Sequence, residues 1–172
     1  MALTLIKETG AGLANANSYA DVADGNAYHD GHLYATAWTG ATADQKAVAL
    51  VMASRLMDAQ YQFGGARSVA SQALQWPRRQ CRIPDEADVL ADDAVPKAVV
   101  EAACELAREL LIADRTAAPA GEGLKYYNAG GVQTGYDKTD RRPIIPAIVQ
   151  ALLAKFGSLI QARSGAVKLV RT

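Results

Sequence analysis

Apolar positions recur at helical spacing in two long segments of the chain. Thr42 and Gln45 form a capping-box pattern, which predicts a helix of about 20 residues that ends at Gly64. The apolar stripe of this helix comprises Val48, Val51, Met52, Leu56, Ala59 and Phe63. Pro96 predicts the first turn of a second long helix. Its stripe comprises Val99, Ala103, Leu106, Ala107 and Leu110.

Two further helices and a hairpin complete the predicted elements. Ser18 is placed to cap a short helix that ends near Gly31. Pro146 precedes a last helix with apolar positions as far as Ile160. Between the second and the last long helix, residues 124–136 hold two short β-type segments around a glycine-rich turn, which predicts a β-hairpin.

Composition agrees with a helical domain. The chain has 172 residues, enough for one domain with a proper core, and half of them are hydrophobic while only 6% are aromatic. Much of the hydrophobic fraction is alanine, which favours closely packed helices. We therefore predict a mainly α fold. It comprises a four-helix bundle-like domain over residues 1–160 with an inserted hairpin, followed by an extended C-terminal tail over residues 161–172.

Charge is balanced overall but separated along the chain. The 18 basic and 18 acidic residues cancel. Residues 64–83 nevertheless contain four arginines and no acid, whereas residues 85–93 contain five acids. A dedicated nucleic-acid binder is usually basic over its whole domain, so the neutral total counts against nucleic acid as the main partner. A local basic patch could still bind it.

Trp76 lies in this basic stretch, directly before Pro77, and two interpretations are open. In the first, its indole stacks on a base, which is worth about 1–3 kcal/mol, while Arg78 and Arg79 hold phosphates. In the second, Trp76 packs in the helical core and the arginines pair with carboxylates of the same chain or of a neighbouring one. A tryptophan beside an apolar helix is usually a core residue, so we expect the second.

Patterns that indicate catalysis or metal binding are scarce. His29 and His32 lack further ligands at convergent spacing, and we expect them to be surface histidines. Cys81 and Cys104 have no metal-ligand spacing, and we expect them to be reduced. No signal-peptide pattern and no apolar run of about 20 residues is present, so we expect no membrane association. We predict no enzymatic activity and no cofactor.

Four segments of the chain carry a resemblance to a known family. They are residues 8–19 with Ala23-Asp24, residues 43–47, residues 72–78, and residues 95–98. Together they resemble a family from tailed-phage genomes that is often labelled DnaT-like single-stranded-DNA-binding protein. Genes of this family tend to lie among head-assembly genes, and its helical outline is similar to that of head–tail connector adaptors, which form a ring beneath the portal.

The resemblance implies a structural virion protein at the head–tail interface, assembled in the host cytoplasm. We expect a self-associated ring, a dodecamer in the adaptors, that binds the portal and tail-completion proteins and lets double-stranded DNA pass. The charge separation supports this, since a ring needs two complementary patches. The expected interface residues are Arg78, Arg79, Arg82, Asp85, Glu86, Asp88, Tyr126, Tyr127, Arg163, Lys168 and Arg171. The alternative is a phage replication protein that binds single-stranded DNA through Trp76, Arg78 and Arg79.

Overall fold

The computed structural model describes residues 3–83, 89–118, 126–129, 131–135 and 142–160. These residues form five α-helices and three two-stranded sheets. The helices are α1 (Val22–Asp30), α2 (Thr36–Thr39), α3 (Ala43–Gln60), α4 (Lys97–Ile112) and α5 (Ala147–Leu153). The strands are β1 (Tyr61–Phe63), β2 (Ala66–Arg67), β3 (Arg78–Arg79), β4 (Tyr126–Ala129), β5 (Val132–Gly135) and β6 (Gly157–Leu159).

The predicted helices are present, but the architecture is mixed α/β and not clearly the predicted four-helix bundle. Helices make up about 40% of the described residues, but strands pair β1 with β6, β2 with β3, and β4 with β5, all antiparallel. α3 and α4 pack along each other and bury the centre of the core. Their buried side chains include Leu50, Ala53, Met57, Val99, Ala103, Leu106 and Ala107.

The two long helices begin where the sequence predicts. Thr42 and Gln45 form the capping box of α3, and Pro96 is the N-cap residue of α4. The predicted end of the first of these helices at Gly64 is wrong, since α3 ends at Gln60. The next three residues form β1, and the side chains of its first and last residues, Tyr61 and Phe63, are buried. Pairing with β6 therefore stabilises an extended chain there instead of another helical turn.

The ends of α1 and α5 also differ from the prediction. The N-cap residue of α1 is Asp21, in a reciprocal capping box with Asp24, while the Ser18 hydroxyl donates to the Ala20 carbonyl at 2.6 Å. α5 ends at Leu153, and the chain continues into β6. A Cβ atom at the first residue of β6, Gly157, would lie 2.4 Å from a carbonyl oxygen of β1, so this strand pair requires glycine there.

The predicted hairpin is confirmed, with its strands in register from Tyr126 opposite Gly135 to Ala129 opposite Val132. The extended tail predicted for residues 161–172 lies outside the described residues. In the part of the chain that the structure describes, no helix is both long and apolar enough to span a bilayer.

Candidate nucleic-acid interface

We call residues 64–83 the arginine segment. It contains the two-residue strands β2 and β3, which pair Ala66 with Arg79 and Arg67 with Arg78. The turn before β2 requires Gly65, which has a φ of +68°, and an added Cβ would lie 2.3 Å from the Arg79 carbonyl oxygen. The connection between the strands runs through Trp76, which is followed by a cis peptide bond to Pro77.

Trp76 is a core residue, as expected. Its side chain is 0% exposed. The indole lies edge-on to Phe63 and Phe156, with ring centroids 5.7 Å and 5.8 Å away. The DNA-stacking interpretation of Trp76 is therefore wrong for this conformation, since no face of the indole is open to a base.

Arg78 is buried and holds the backbone together. Its Nε donates to the Gly64 carbonyl at 2.6 Å, and its Nη2 donates to the carbonyls of Phe63 at 3.3 Å and Gly65 at 2.9 Å. Its Nη1 donates to the backbone and side-chain oxygens of Gln75, at 3.1 Å and 3.0 Å. Burial lowers the pKa of Arg78. Its predicted role as a subunit or DNA contact is wrong, because its donors already bind the chain's own oxygens.

Arg67 also donates to backbone carbonyls, although its side chain is exposed. Its Nη2 donates to the carbonyls of Ala70 at 2.8 Å and Gln72 at 2.7 Å. We expected the arginines of this segment to pair with carboxylates, and within the described residues neither Arg67 nor Arg78 does so. A carbonyl satisfies a donor without cancelling its charge, so both guanidiniums remain sources of positive potential, which the nearby Asp58 carboxylate reduces without forming an ion pair.

Arg79 and Arg82 point outward. Both side chains are exposed, and neither forms an ion pair with a described residue. Between them Cys81 is buried, and Gln80 has a φ of 57°, in the left-handed region. This local turn lets the chain bury one side chain while presenting arginines on either side of it. Arg79 and Arg82 are therefore the two free cations that the arginine segment presents to solvent within the described chain.

The remaining predicted interface residues divide into two groups. Tyr126 is 60% exposed in β4, and of Tyr127 the structure describes the backbone only. The other six lie outside the described residues: Asp85, Glu86, Asp88, Arg163, Lys168 and Arg171. Among the described residues of this set, the structure brings together Arg78, Arg79 and Arg82.

A half-buried carboxylate, Asp58, lies beneath the arginine segment, and the sequence did not reveal it. Asp58 of α3 accepts hydrogen bonds from the Tyr19 hydroxyl and, at 3.0 Å, from the Gln75 backbone amide. The Tyr19 hydroxyl also accepts from the amides of Gln75 and Trp76, at 3.1 Å and 3.3 Å. Burial raises the pKa of Asp58 to about 6. Asp58 and Tyr19 together fix the chain just before Arg78.

A buried glutamine supports the segment from within. The Gln72 side chain is 2% exposed, and its amide donates to the carbonyls of Leu74 at 2.8 Å and Pro77 at 3.0 Å. Its Oε1 accepts from the Val69 amide at 2.8 Å. Residues 72–78, which carry part of the family resemblance, therefore form a scaffold that positions the two exposed arginines.

The segment at residues 8–19 is a second part of this scaffold. Glu8 is 1% exposed, and its carboxylate accepts the backbone amides of Gly10, Gly12 and Leu13 at 2.8 to 3.0 Å. The Leu13 carbonyl in turn accepts from the Ala73 amide at 3.0 Å. A glutamate followed by a glycine-rich turn was the signal in the sequence that could have revealed this contact.

A different polar cluster lies where α1 meets α4. Glu105 is 2% exposed and pairs with Arg108 at 2.6 Å, and the His32 Nε2 lies 3.6 Å from it. His29 is 3% exposed, with its Nε2 3.1 Å from the Cys104 carbonyl, so the surface position predicted for His29 is wrong. No group of three or more metal-ligating side chains occurs within the described ranges. The carboxylates and guanidiniums of this cluster pair with one another within the described chain, while the buried Nδ1 of His29 has no hydrogen-bond partner there.

A family model described as "Putative DnaT-like ssDNA binding protein" matches residues 3–172 of the chain. No curated protein and no solved structure matched the chain.

This match overturns the function that we favoured from the sequence. A head–tail connector receives no support, and the family corresponds to the alternative hypothesis of single-stranded-DNA binding. The expected ring, the portal and tail-completion partners, the passage of double-stranded DNA and the virion assignment are contradicted with it. The neutral total misled because it averages charge over the whole chain, whereas residues 64–83 hold four arginines and no acid.

Since the match spans nearly the whole chain, the protein belongs to the family of putative DnaT-like single-stranded-DNA-binding proteins.

Proposed function

We propose that the protein binds single-stranded DNA and that the arginine segment contacts its phosphates. Arg79 and Arg82 supply two direct contacts, and Arg67, which is also exposed, supplies a third through the donors that its carbonyl partners leave free. The observation that carries the proposal is the way these arginines are held: Arg67 and Arg78 bind carbonyls, Arg67, Arg79 and Arg82 are exposed, and none of the four forms an ion pair with a described residue. Family membership supports the same function.

The proposed mode of binding is independent of base sequence. Guanidiniums on phosphates fix the position of a strand but do not distinguish bases. Trp76 takes no part in contact with the strand, since it is fully buried. The proposal is for binding without catalysis.

The test is fluorescence anisotropy of a labelled oligothymidylate over a range of salt concentrations. Each neutralised phosphate of a single strand contributes about −0.7 to the slope of log affinity against log salt, so Arg67, Arg79 and Arg82 predict a slope of about −2. Changing both Arg79 and Arg82 to alanine should weaken binding at low salt and bring the slope to about −0.7. Neither change removes a hydrogen bond within the described chain, so the fold should persist.

Arg55→Ala is the matched control, because Arg55 is an exposed arginine on α3, outside the arginine segment. It should leave both affinity and slope near the unchanged values. The proposal is wrong if the protein does not bind the oligonucleotide, or if the double variant binds with the affinity and slope of the unchanged protein.

A further inference from the structure

Gln80 lies between the exposed arginines and has a backbone conformation that glutamine rarely adopts. Its φ is 57°, and among the described residues it is the one non-glycine residue with a positive φ. Glycine adopts this left-handed region without steric cost, whereas a residue with a Cβ atom is strained there. The turn would therefore form at least as readily with glycine, so its backbone gives no reason for a glutamine side chain.

The conformation of Gln80 changes which side chains face solvent. Side chains alternate between the two faces of an extended chain, so the buried Arg78 and the exposed Arg79 would be followed by a buried residue 80. Instead Gln80 is exposed and Cys81 is buried, after which Arg82 is exposed. The turn thus shifts the alternation by one residue and adds a third exposed polar side chain to the two arginines.

The backbone on both sides of Gln80 is held in place. A Cβ atom added at Gly65 would lie 2.3 Å from the Arg79 carbonyl oxygen and 3.0 Å from the Cys81 amide nitrogen, so this glycine packs tightly against the turn. The Cys81 carbonyl accepts a hydrogen bond from the Leu90 amide at 3.1 Å. A side chain on a fixed backbone loses only its own rotamer freedom when it binds a ligand.

The carboxamide of Gln80 is available to a ligand. The other two glutamines of the arginine segment bind the chain itself: Gln72 donates to two backbone carbonyls, and the Gln75 Oε1 accepts from Arg78 at 3.0 Å. The Gln80 side chain is exposed and forms no hydrogen bond with any residue that the structure describes. Its donor and its acceptor are therefore both open to solvent.

A carboxamide beside two phosphate-binding arginines suits the edge of a base. Its oxygen accepts a hydrogen bond and its NH2 group donates one. The Watson–Crick edge of each DNA base carries an adjacent donor and acceptor, which a single strand exposes and a duplex uses for pairing. Guanidiniums on phosphates do not distinguish the two forms, since both carry phosphates.

We propose that Gln80 hydrogen-bonds the Watson–Crick edges of bases in the strand that Arg79 and Arg82 hold, and that this contact selects single-stranded over duplex DNA. The inference rests on the proposed function, because it needs a strand on the arginine segment. Every base offers such an edge, so the contact selects a single strand without selecting a sequence.

The test compares the affinities for one labelled oligonucleotide of mixed sequence, alone and annealed to its complement, by fluorescence anisotropy. Gln80→Gly removes the carboxamide and supplies a residue that adopts the turn without strain. It should lower the ratio of single-strand to duplex affinity by about fivefold, which corresponds to two exposed hydrogen bonds of modest strength. Gln62→Ala changes an exposed glutamine of β1, outside the arginine segment, and should leave this ratio unaltered.

Two further measurements separate a base contact from a displacement of the arginines. An abasic strand carries phosphates but no bases, so Gln80→Gly should bind it as tightly as the unchanged protein does. The slope of log affinity against log salt for the single strand should also stay at about −2, since no phosphate contact is lost.

Equal ratios of single-strand to duplex affinity in Gln80→Gly and the unchanged protein would overturn the proposal. A weaker affinity of Gln80→Gly for the abasic strand, or a shallower salt slope, would overturn it too, because Gln80 would then only position the arginines. Failure of the unchanged protein to bind either form of the oligonucleotide would instead overturn the proposed function on which the inference rests.

Discussion

The arginine segment and the C-terminal half of α4 both bury arginines, but the side chains of these arginines bind different partners. Arg108 donates to the carboxylates of Glu105 at 2.6 Å and Glu109 at 2.7 Å, and Arg115 donates to Glu109 as well. Arg78 donates to four backbone carbonyls and an amide oxygen. Both arrangements satisfy the donors of the guanidinium. Only the carboxylates around Arg108 also cancel its charge.

The pKa values follow this difference. The hydrogen bond to Glu105 raises the pKa of Arg108, whereas burial lowers the pKa of Arg78. A buried arginine that binds carbonyls therefore costs more to desolvate, yet it leaves a positive field at the surface. The lesson is that the partner of a buried cation, rather than its burial, decides whether a polyanion is attracted to that place.

The largest expected loss of stability comes from breaking the ion pair of Arg108 in α4. Arg108→Ala leaves the Glu105 carboxylate buried without its cation, which we expect to lower the free energy of unfolding by about 3–5 kcal/mol. Replacing the pair together, Arg108→Met with Glu105→Leu, should recover most of that loss, because no charge is then left unpaired. Urea denaturation of the three proteins is the measurement. A double variant as unstable as the single one would contradict the explanation.

In the arginine segment, where Arg78 binds carbonyls instead of carboxylates, Arg78→Ala should destabilise the protein by a comparable amount for a different reason. Four carbonyls lose their donor, at about 1 kcal/mol each, so we expect a loss of about 4 kcal/mol in urea denaturation. Arg78→Lys should recover only part of it, since an ammonium cannot reproduce the planar fork. Arg79→Ala is the matched control and should change stability by less than about 0.5 kcal/mol. Equal losses of stability in Arg78→Ala and Arg79→Ala would contradict the structural role of the Arg78 hydrogen bonds.

A smaller effect comes from Asp58, the carboxyl beneath the arginine segment. Its pKa is about 6 in the folded protein against 3.8 as the ordinary value, so the folded state binds a proton that the unfolded state releases between these pH values. Stability should therefore fall as pH rises from about 4 to about 6, by up to about 3 kcal/mol. Asp58→Asn should abolish this contribution.

The measurement is the free energy of unfolding of the unchanged and Asp58→Asn proteins across that pH range. The difference between the two curves isolates Asp58 from carboxyls whose pKa is lowered, such as Asp21 and Glu109. Parallel curves would mean that Asp58 does not titrate in this window.

Local sequence predicted much of the helical framework. The capping box at Thr42 and Gln45 and the proline before α4 act through neighbouring residues, so their pattern is visible in the chain itself. The hairpin follows from its turn for the same reason. The burial of Trp76 followed from the size and apolar character of its side chain. The pairing of β1 with β6 was missed, because its partners are nearly 100 residues apart.

Sequence alone determined that four arginines and no acid share residues 64–83, and it favoured a core position for the tryptophan among them, which the structure confirms. It could not distinguish Arg78 from Arg79, which are identical neighbours. Tertiary structure decided that difference: the turn at residues 63–65 brings three carbonyls around one guanidinium and leaves the other in solvent. The physical reason is that a hydrogen-bond partner is chosen by position in space, and backbone carbonyls carry no mark in the sequence.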